Sequence, residues 1–382
     1  MKIQKLSLKK VTILSLIVST IILTSIMFAS AAEINDYQTG YISDDYEVSL
    51  PKTTDNTDYG SSFDARKEGF VTPVKNQKDI GCCWAFASIA DFEHSAYNQT
   101  GLLQTFSEES MRFVLSSNSK NVFGNSYGYY NRSYSEGGFE SIAAQYLTNS
   151  NSDFMCGNDV NWVAPNYDAD IPFSNSFLQV NTSQWYKEKL SSSIPNCKLT
   201  DAFYISKDEF KKYIKEYGQI ILSFKTNEYY RNEKTGALYL DEDIKNGGHE
   251  VLCVGWDDNY SKDNFLENHR PSKNGAWLIK NSWGTDFGEQ GYCWISYEDV
   301  TINNQAMVYA KINKNSSSEK MLSYDITPLG EKVGKTIDNT NNTFAMANIY
   351  DLTKLHDSYD CIKDVMFYNS NIGAKYNIYV VP

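Results

Sequence analysis

The chain has 382 residues, of which 41% are hydrophobic, and a formal net charge of −12. The acidic balance argues against nucleic acid or an anionic membrane surface as its partner. Composition alone does not indicate a substrate.

The first 31 residues have the pattern of a secretory signal peptide. Four lysines precede an acid-free apolar stretch from Val11 to Phe28, and Ala29-Ser30-Ala31 is typical of a cleavage site. The stretch approaches the length that spans a bilayer, so an uncleaved anchor is the second interpretation. Both interpretations predict a protein body outside the cytoplasm, secreted or at the cell surface. Removing this acid-free segment with its four lysines changes the formal charge from −12 to −16.

Residues 32–61 are predicted to be a short N-terminal segment or prosegment. They are rich in Asp, Thr and Tyr and carry no long helical repeat. Two alternatives stay open at this stage. The segment either lies as a strap across the rest of the protein or leaves it uncovered.

A run of good helix formers begins at Cys83. From Trp84 to Tyr97 there is no Pro or Gly and bulky residues cover most of the surface, which predicts a largely buried helix. Cys83 would lie in its first turn, where the helix dipole favours a thiolate. Gln77, six residues earlier, supplies an amide N–H. A thiolate and an amide donor are groups that acyl transfer requires.

His249 differs from the other three histidines because it precedes the apolar run from Glu250 to Trp256, which predicts a buried strand. A His at the mouth of such a strand is held rigidly and suits the role of base. Asn281 can orient the imidazole. The carboxylate of Glu250 is expected to raise the pKa of His249.

The loop from Asp257 to Asn264 carries several oxygen ligands, as calcium loops do, but it lacks the Gly and Glu of the EF-hand. It is interpreted as a solvated insertion, and the sequence predicts neither a metal nor a cofactor. Cys253 and Cys293 lie in apolar strand patterns and are predicted to be buried free thiols. Pairing of Cys156 with Cys197 is an alternative that the sequence leaves open.

The sequence changes character near its C-terminal end. Residues 313–320 are a polar linker. Residues 321–382 alternate polar and apolar positions in short runs separated by turn residues, which predicts a β-rich module. The last residues interrupt an apparent strand, so the module is expected to be incomplete.

Several separated blocks together resemble the papain-like cysteine peptidases. The blocks are Val71–Gln77, Cys83–Ala87, Phe106–Glu109, Gly137-Gly138, Gly247–His249, Lys280–Gly284 and Gly291–Ile295. The resemblance implies an α+β papain-like fold over residues 62–312. A helical lobe built on the Cys83 helix would face an antiparallel β-barrel-like lobe, with the site in the cleft between them.

The resemblance also implies a role for each candidate site residue. Cys83 would be the nucleophile, His249 its base and Asn281 the orienting group. Gln77 and the backbone N–H of Cys83 would form the oxyanion hole. Three further residues would bind substrate or shield the His–Asn bond, namely Gly137, Gly138 and Trp283.

The expected function is therefore a secreted cysteine endopeptidase acting on proteins or peptides through an acyl-enzyme. Residues 321–382 resemble the lectin-like jelly-roll domain of some secreted bacterial members. This favours a carbohydrate or cell-surface ligand as a second partner. A catalytically weakened adhesin is the alternative function.

Overall fold

The computed structural model describes residues 57–69, 71–78, 80–101, 105–108, 111–112, 115, 137–148 and 197–314. It also describes Gly40, Tyr41, Leu50 and Asn377, and the strand backbone at 154–156, 160–162 and 322–323. The helices are α1 (Ala65–Glu68), α2 (Cys83–Thr100), α3 (Glu140–Thr148) and α4 (Phe210–Tyr217). The strands are β1 (Ser62–Asp64), β2 (Phe154–Cys156), β3 (Val160–Trp162), β4 (Cys197–Ser206), β5 (Ile220–Lys225), β6 (Gly248–Asp257), β7 (Ala276–Lys280), β8 (Tyr292–Ser296), β9 (Gln305–Lys314) and β10 (Leu322–Ser323).

Helix α2 is the central helix of the described structure. Every residue from Cys83 to Ala96 is buried, including the acidic side chains of Asp91 and Glu93. It ends at Gly101, which takes a left-handed φ of 72° and donates its N–H to the Tyr97 carbonyl at 2.9 Å. Glycine adopts that conformation without steric cost and terminates the helix.

The main sheet packs against α2 through β6 and β9. Its strand order is β4-β9-β5-β6-β7-β8, and β1 pairs with β6 on a separate branch. All of these neighbours are antiparallel. The register pairs Leu252 of β6 with Lys280, the last residue of β7. Because the two strands run in opposite directions, Asn281 leaves β7 beside the start of β6, where His249 lies.

A buried ionic cluster joins the 71–78 segment to α2. Lys75 Nζ lies 2.9 Å from Glu93 Oε1 and 2.5 Å from Glu108 Oε1. Glu93 also accepts the backbone N–H of Phe106 at 2.7 Å. Burial lowers the pKa of Lys75, but the two carboxylates outweigh burial and the net shift is upward. The cluster therefore fixes the segment two residues before Gln77.

The structure confirms the papain-like combination of helices with an antiparallel sheet. The Cys83 helix and the His249 strand occur where the sequence predicts them. Strand β9 continues to Lys314 and so enters the predicted linker by two residues, 313 and 314. The predicted jelly-roll module lies outside the described residues, apart from the backbone of 322–323 and Asn377. Within the described ranges, no helix combines the length and apolar character needed to cross a bilayer.

The cysteine predictions have different outcomes. Cys253 and Cys293 are buried free thiols, as expected. Burial raises the pKa of each thiol to about 12. The side chain of Cys156 lies outside the described residues, so its pairing with Cys197 stays a prediction.

Candidate active site

Cys83 is the first residue of α2 and is completely buried. Its Sγ accepts a hydrogen bond from the backbone N–H of Glu250 at 3.3 Å. The thiol of α2 therefore lies against strand β6, next to His249. The first N–H groups of a helix have no intrahelical partner, so the backbone N–H of Cys83 suits an external acceptor.

His249 lies at the start of β6 and is fully buried among aromatic rings. The Trp283 ring stacks on the imidazole with centroids 4.8 Å apart, and Phe224 meets it edge-on at 5.7 Å. Its Nε2 lies 2.8 Å from Asn281 Oδ1. Trp283 thus covers the His–Asn pair, as the sequence resemblance implies.

The bonds of Asn281 identify the tautomer of His249. Asn281 Oδ1 also accepts the backbone N–H of Ser282 at 2.7 Å, and only an oxygen accepts from a backbone N–H. His249 Nε2 must therefore donate its proton to that oxygen. Nδ1 of the neutral ring is then unprotonated, and no described residue bonds it. This nitrogen is the one that can act as a base.

Burial sets the protonation of the pair. It lowers the pKa of His249 to about 4, against the raising effect of the Asn281 bond. Burial also raises the pKa of Cys83 well above its usual value, and the charge of Glu250 raises it further. The sequence prediction of a thiolate does not hold for this buried arrangement, because desolvation outweighs the favourable backbone bonds from Glu250 and Trp84. Thiol and imidazole are both neutral here near pH 7.

Glu250 does not act on His249 as the sequence predicted. Successive side chains of a strand point to opposite faces, so the carboxyl of Glu250 and the ring of His249 diverge. The pKa of His249 responds only to burial and Asn281. The charge of Glu250 acts instead on Cys83.

Gln77 is fully buried between two loops. Its Nε2 donates to the Ile80 carbonyl at 2.8 Å, and its Oε1 accepts the Ser282 hydroxyl at 2.5 Å. Its backbone N–H donates to the Ser282 carbonyl at 2.7 Å. These bonds tie the loop before Cys83 to the loop after Asn281, and they fix the amide in one orientation.

A segment of the chain's own N-terminal region lies between the two sides of the site. The backbone N–H of Gly138 donates to the Gly40 carbonyl at 2.8 Å. On the other side, the N–H groups of Gly40 and Tyr41 approach the Gly248 carbonyl at 3.2 and 3.0 Å. Gly248 directly precedes His249. We call Gly40-Tyr41 the strap.

The strap fits closely against the loop before the nucleophile. A Cβ added to Gly40 would lie 2.3 Å from the carbonyl carbon of Gly81, and Gly40 has a φ of +111°. Only glycine meets both conditions. Gly81 is two residues before Cys83, so the strap contacts the loop that leads to the thiol.

The structure brings the sequence-predicted residues together in one place. Cys83, His249, Asn281 and Trp283 form a connected group, with Gln77 held by Ser282 beside them. Gly138 bonds the strap. Gly137 is half-buried next to it, and its role in binding substrate stays a prediction.

Some residues of the site were not identified from the sequence. Phe224 meets His249 because β5 pairs with β6 in a register that sets the two residues opposite each other. Gly40 and Tyr41 lie in a polar segment whose pattern gives no signal of contact.

The loop with calcium-like oxygen ligands uses Asp258 for contacts within the protein. Its carboxylate accepts Lys211 Nζ at 2.6 Å and the Tyr297 hydroxyl at 2.8 Å.

The chain is similar to animal cathepsins. Cathepsin L2 of Homo sapiens is 26% identical over 238 residues, covering 62% of the chain and 60% of the cathepsin. Cathepsin S of Bos taurus is 27% identical over 250 residues, covering 63% and 61%. The chain thus spans about three fifths of the length of these relatives.

Two solved structures of a clostridial protein are also similar. The cysteine protease Cwp84 after propeptide cleavage matches at a TM-score of 0.56 and 28% identity, over 67% of the chain and 59% of that protein. The cysteine protease and lectin-like domains of Cwp84, a surface layer associated protein of Clostridium difficile, match at a TM-score of 0.58 and 24% identity. That match covers 78% of the chain and 60% of that protein. At 24% identity it supports the fold alone.

The family comparison covers most of the chain. Residues 59–318 match the family described as papain family cysteine protease. That range includes Gln77, Cys83, His249 and Asn281. The chain therefore belongs to the papain family of cysteine proteases.

Proposed function

We propose that the chain is a cysteine peptidase that hydrolyses peptide bonds at Cys83. The strap carries this proposal, because it is a peptide backbone bonded on both sides of the nucleophile. Gly138 supplies an N–H and Gly248 a carbonyl to it. Backbone groups of this kind bind any extended peptide regardless of its side chains.

The roles proposed for the site residues follow from their bonds. His249 Nδ1 takes the proton of Cys83, and the thiolate attacks the substrate carbonyl carbon. The backbone N–H of Cys83 and an N–H of Gln77 stabilise the oxyanion. His249 then returns the proton to the leaving amine, and a water molecule, deprotonated by the same ring, hydrolyses the acyl-enzyme.

The closed site needs opening before this chemistry starts. With the strap in place, burial favours the neutral thiol and imidazole over the ion pair. Displacing the strap admits water or substrate and reduces the desolvation that opposes ionisation. Residues 32–61 are thus proposed to be a prosegment that holds the site inactive.

A cleft for an extended substrate continues beside Trp283. A cavity of about 460 Å³ opens there, and Phe287, Arg231 and Lys78 contribute to its wall. Arg231 lies over the Phe287 ring at 5.0 Å. A cavity of this size beside Trp283, which stacks on His249, suits a peptide chain that extends past the cleaved bond, which favours endopeptidase activity. The proposed peptidase activity is tested by incubating the full chain with a peptide library and identifying the cleavage products by mass spectrometry. Absence of cleavage under activating conditions would contradict the proposal.

Replacing Gly40 tests the strap. Gly40→Ala places a methyl group against Gly81 and should displace the strap, so the unprocessed chain should cleave a fluorogenic peptide at least about tenfold faster. Loss of the backbone bonds, at about 0.5–1.5 kcal/mol each, accounts for that factor. Gly60→Ala is the matched control, because Gly60 also has a positive φ but no atom lies within 4 Å of its added Cβ. An equal rate in the two variants would show that the strap does not inhibit.

Export of the protein is proposed from the N-terminal pattern of residues 1–31. Residues 1–31 would be removed as a signal peptide, which predicts Ala32 as the first residue of the exported chain. N-terminal sequencing of the secreted protein checks this. A start at Met1 would favour the membrane anchor. A carbohydrate or cell-surface ligand of residues 321–382 is proposed on the resemblance of their sequence to a lectin-like jelly-roll domain.

A further inference from the structure

A buried carboxyl group, that of Glu250, belongs to the residue that bonds the nucleophile. Glu250 is 0% exposed, and its backbone N–H is the group that bonds Cys83 Sγ. Apart from Glu140, no described residue donates a hydrogen bond to either carboxyl oxygen of Glu250. An ionised carboxylate in such a place carries a large desolvation cost. Its burial beside a catalytic thiol therefore calls for a physical explanation.

Another buried carboxyl group acts on Glu250. Glu140 begins α3 and is 5% exposed. Burial raises the pKa of Glu250 well above its usual value, and the charge of Glu140 and a side-chain bond to it raise the pKa further. Two carboxyl groups bond each other only when one of them carries a proton. A pair of this kind titrates as a unit, with one proton held to high pH.

The other ionisable groups around the pair do not neutralise it. Tyr309 of β9 donates its hydroxyl to the Glu140 backbone carbonyl at 3.0 Å, and Asp91 of α2 bonds the Tyr309 N–H. Lys75 and Lys280 line a cavity of about 20 Å³ with Glu250. Lys75 is bonded by Glu93 and Glu108, and Lys280 by the Thr72 hydroxyl. Among the described residues, no cation forms an ion pair with Glu250.

We propose that Glu250 is a positioning residue for the nucleophile, which shares one proton with Glu140 and suppresses the reactivity of Cys83 when that proton is lost. While it holds that proton the pair carries a single negative charge, and β6 lies against α2 with the Glu250 N–H on Cys83 Sγ. When the pH rises, the proton leaves to solvent and a second negative charge appears beside the thiol. That charge opposes formation of the thiolate. The proposal deepens the peptidase function, since it gives the same thiol an upper pH limit.

The test uses two isosteric substitutions that should shift the pH profile of Cys83 in opposite directions. Glu250→Gln can never ionise, so its Cys83 should stay reactive at high pH. Glu140→Gln removes the like charge and offers an N–H to Glu250, so Glu250 ionises at lower pH and reactivity should fall earlier. A purely structural role would lower the rate at every pH without moving the profile.

The measurement is the rate of Cys83 alkylation by iodoacetamide in the full chain from pH 5 to 9, read at Cys83 by mass spectrometry. The ratio of the Glu250→Gln rate to the wild-type rate should rise at least about tenfold across this range, the effect of one pKa unit on the thiol. Dividing the rate of the variant by the wild-type rate at each pH cancels any pH dependence of strap opening, because both proteins have the same strap. Alkylation needs no substrate, so the outcome is readable even if the chain fails to cleave peptides. Parallel profiles for the three proteins would overturn the proposal.

A measurement on the wild-type protein covers the case in which a variant fails to fold. Carboxyl ¹³C NMR of glutamate-labelled protein should retain a protonated glutamate signal above pH 6. Burial also raises the pKa of Glu93, so a Glu93→Gln sample identifies that residue's signal. Absence of any other protonated glutamate above pH 6 would overturn the shared proton.

Discussion

Cys83→Ala will abolish peptide hydrolysis, and His249→Ala will reduce it almost as far. In the proposed mechanism, Cys83 Sγ bonds the substrate carbonyl carbon and His249 Nδ1 takes the proton of the thiol. Nucleophile and base act as a unit, so the double variant should be little worse than either single variant. The losses are expected to be about 10⁴-fold or more, measured as kcat/KM on a fluorogenic peptide.

The controls separate chemistry from folding. Cys253→Ala is the control variant. It removes a different buried thiol, which lies on β6 four residues after His249, and it should keep most of the activity per folded molecule. Thermal unfolding of Cys83→Ala should stay close to wild type, because the hydrogen bond that the thiol accepts from Glu250 is long, at 3.3 Å. If the loss in the double variant equalled the product of the single losses, Cys83 and His249 would work separately. The proposed pair would then be wrong.

The elements that carry the catalytic residues were predictable because their patterns are local. Helix α2 is an uninterrupted run of helix formers that ends at a glycine, and β6 is an uninterrupted apolar run after His249. The candidate site residues on these elements also occur along the chain in the same order as in the papain-like family. Such signals depend only on residues close together in the chain.

Contacts between distant segments were not predictable in this way. The strap meets Gly138 and Gly248 through backbone groups, which every residue has, so no side-chain pattern marks it. Glu140 and Glu250 come together because α3 and β6 both pack against α2. The pKa of Cys83 was predicted in the wrong direction, because the helix start is visible in the sequence but complete burial is not.

Gln77→Ala is expected to lower kcat far more than it raises KM. Its amide meets charge that develops only in the transition state, and loss of one such donor typically costs about 2.7–4 kcal/mol. The structure adds a second consequence, since Gln77 also bonds Ile80 and Ser282 and so joins two loops of the site. Part of the loss in Gln77→Ala would therefore come from a less ordered loop before Cys83.

Ser282→Ala separates these two effects. It removes the hydroxyl that fixes Gln77 Oε1 but leaves the amide N–H in place, so it should cost about 0.5–1.5 kcal/mol, the value of one hydrogen bond. Steady-state kinetics of both variants and a binding assay with an uncleavable peptide aldehyde measure the difference. The aldehyde forms a tetrahedral adduct with the thiol and so depends on the oxyanion donor. Ser282→Ala could weaken binding of the aldehyde as much as Gln77→Ala does. In that case the role of Gln77 would be to order the loops, and stabilisation of the oxyanion would depend on the backbone N–H of Cys83.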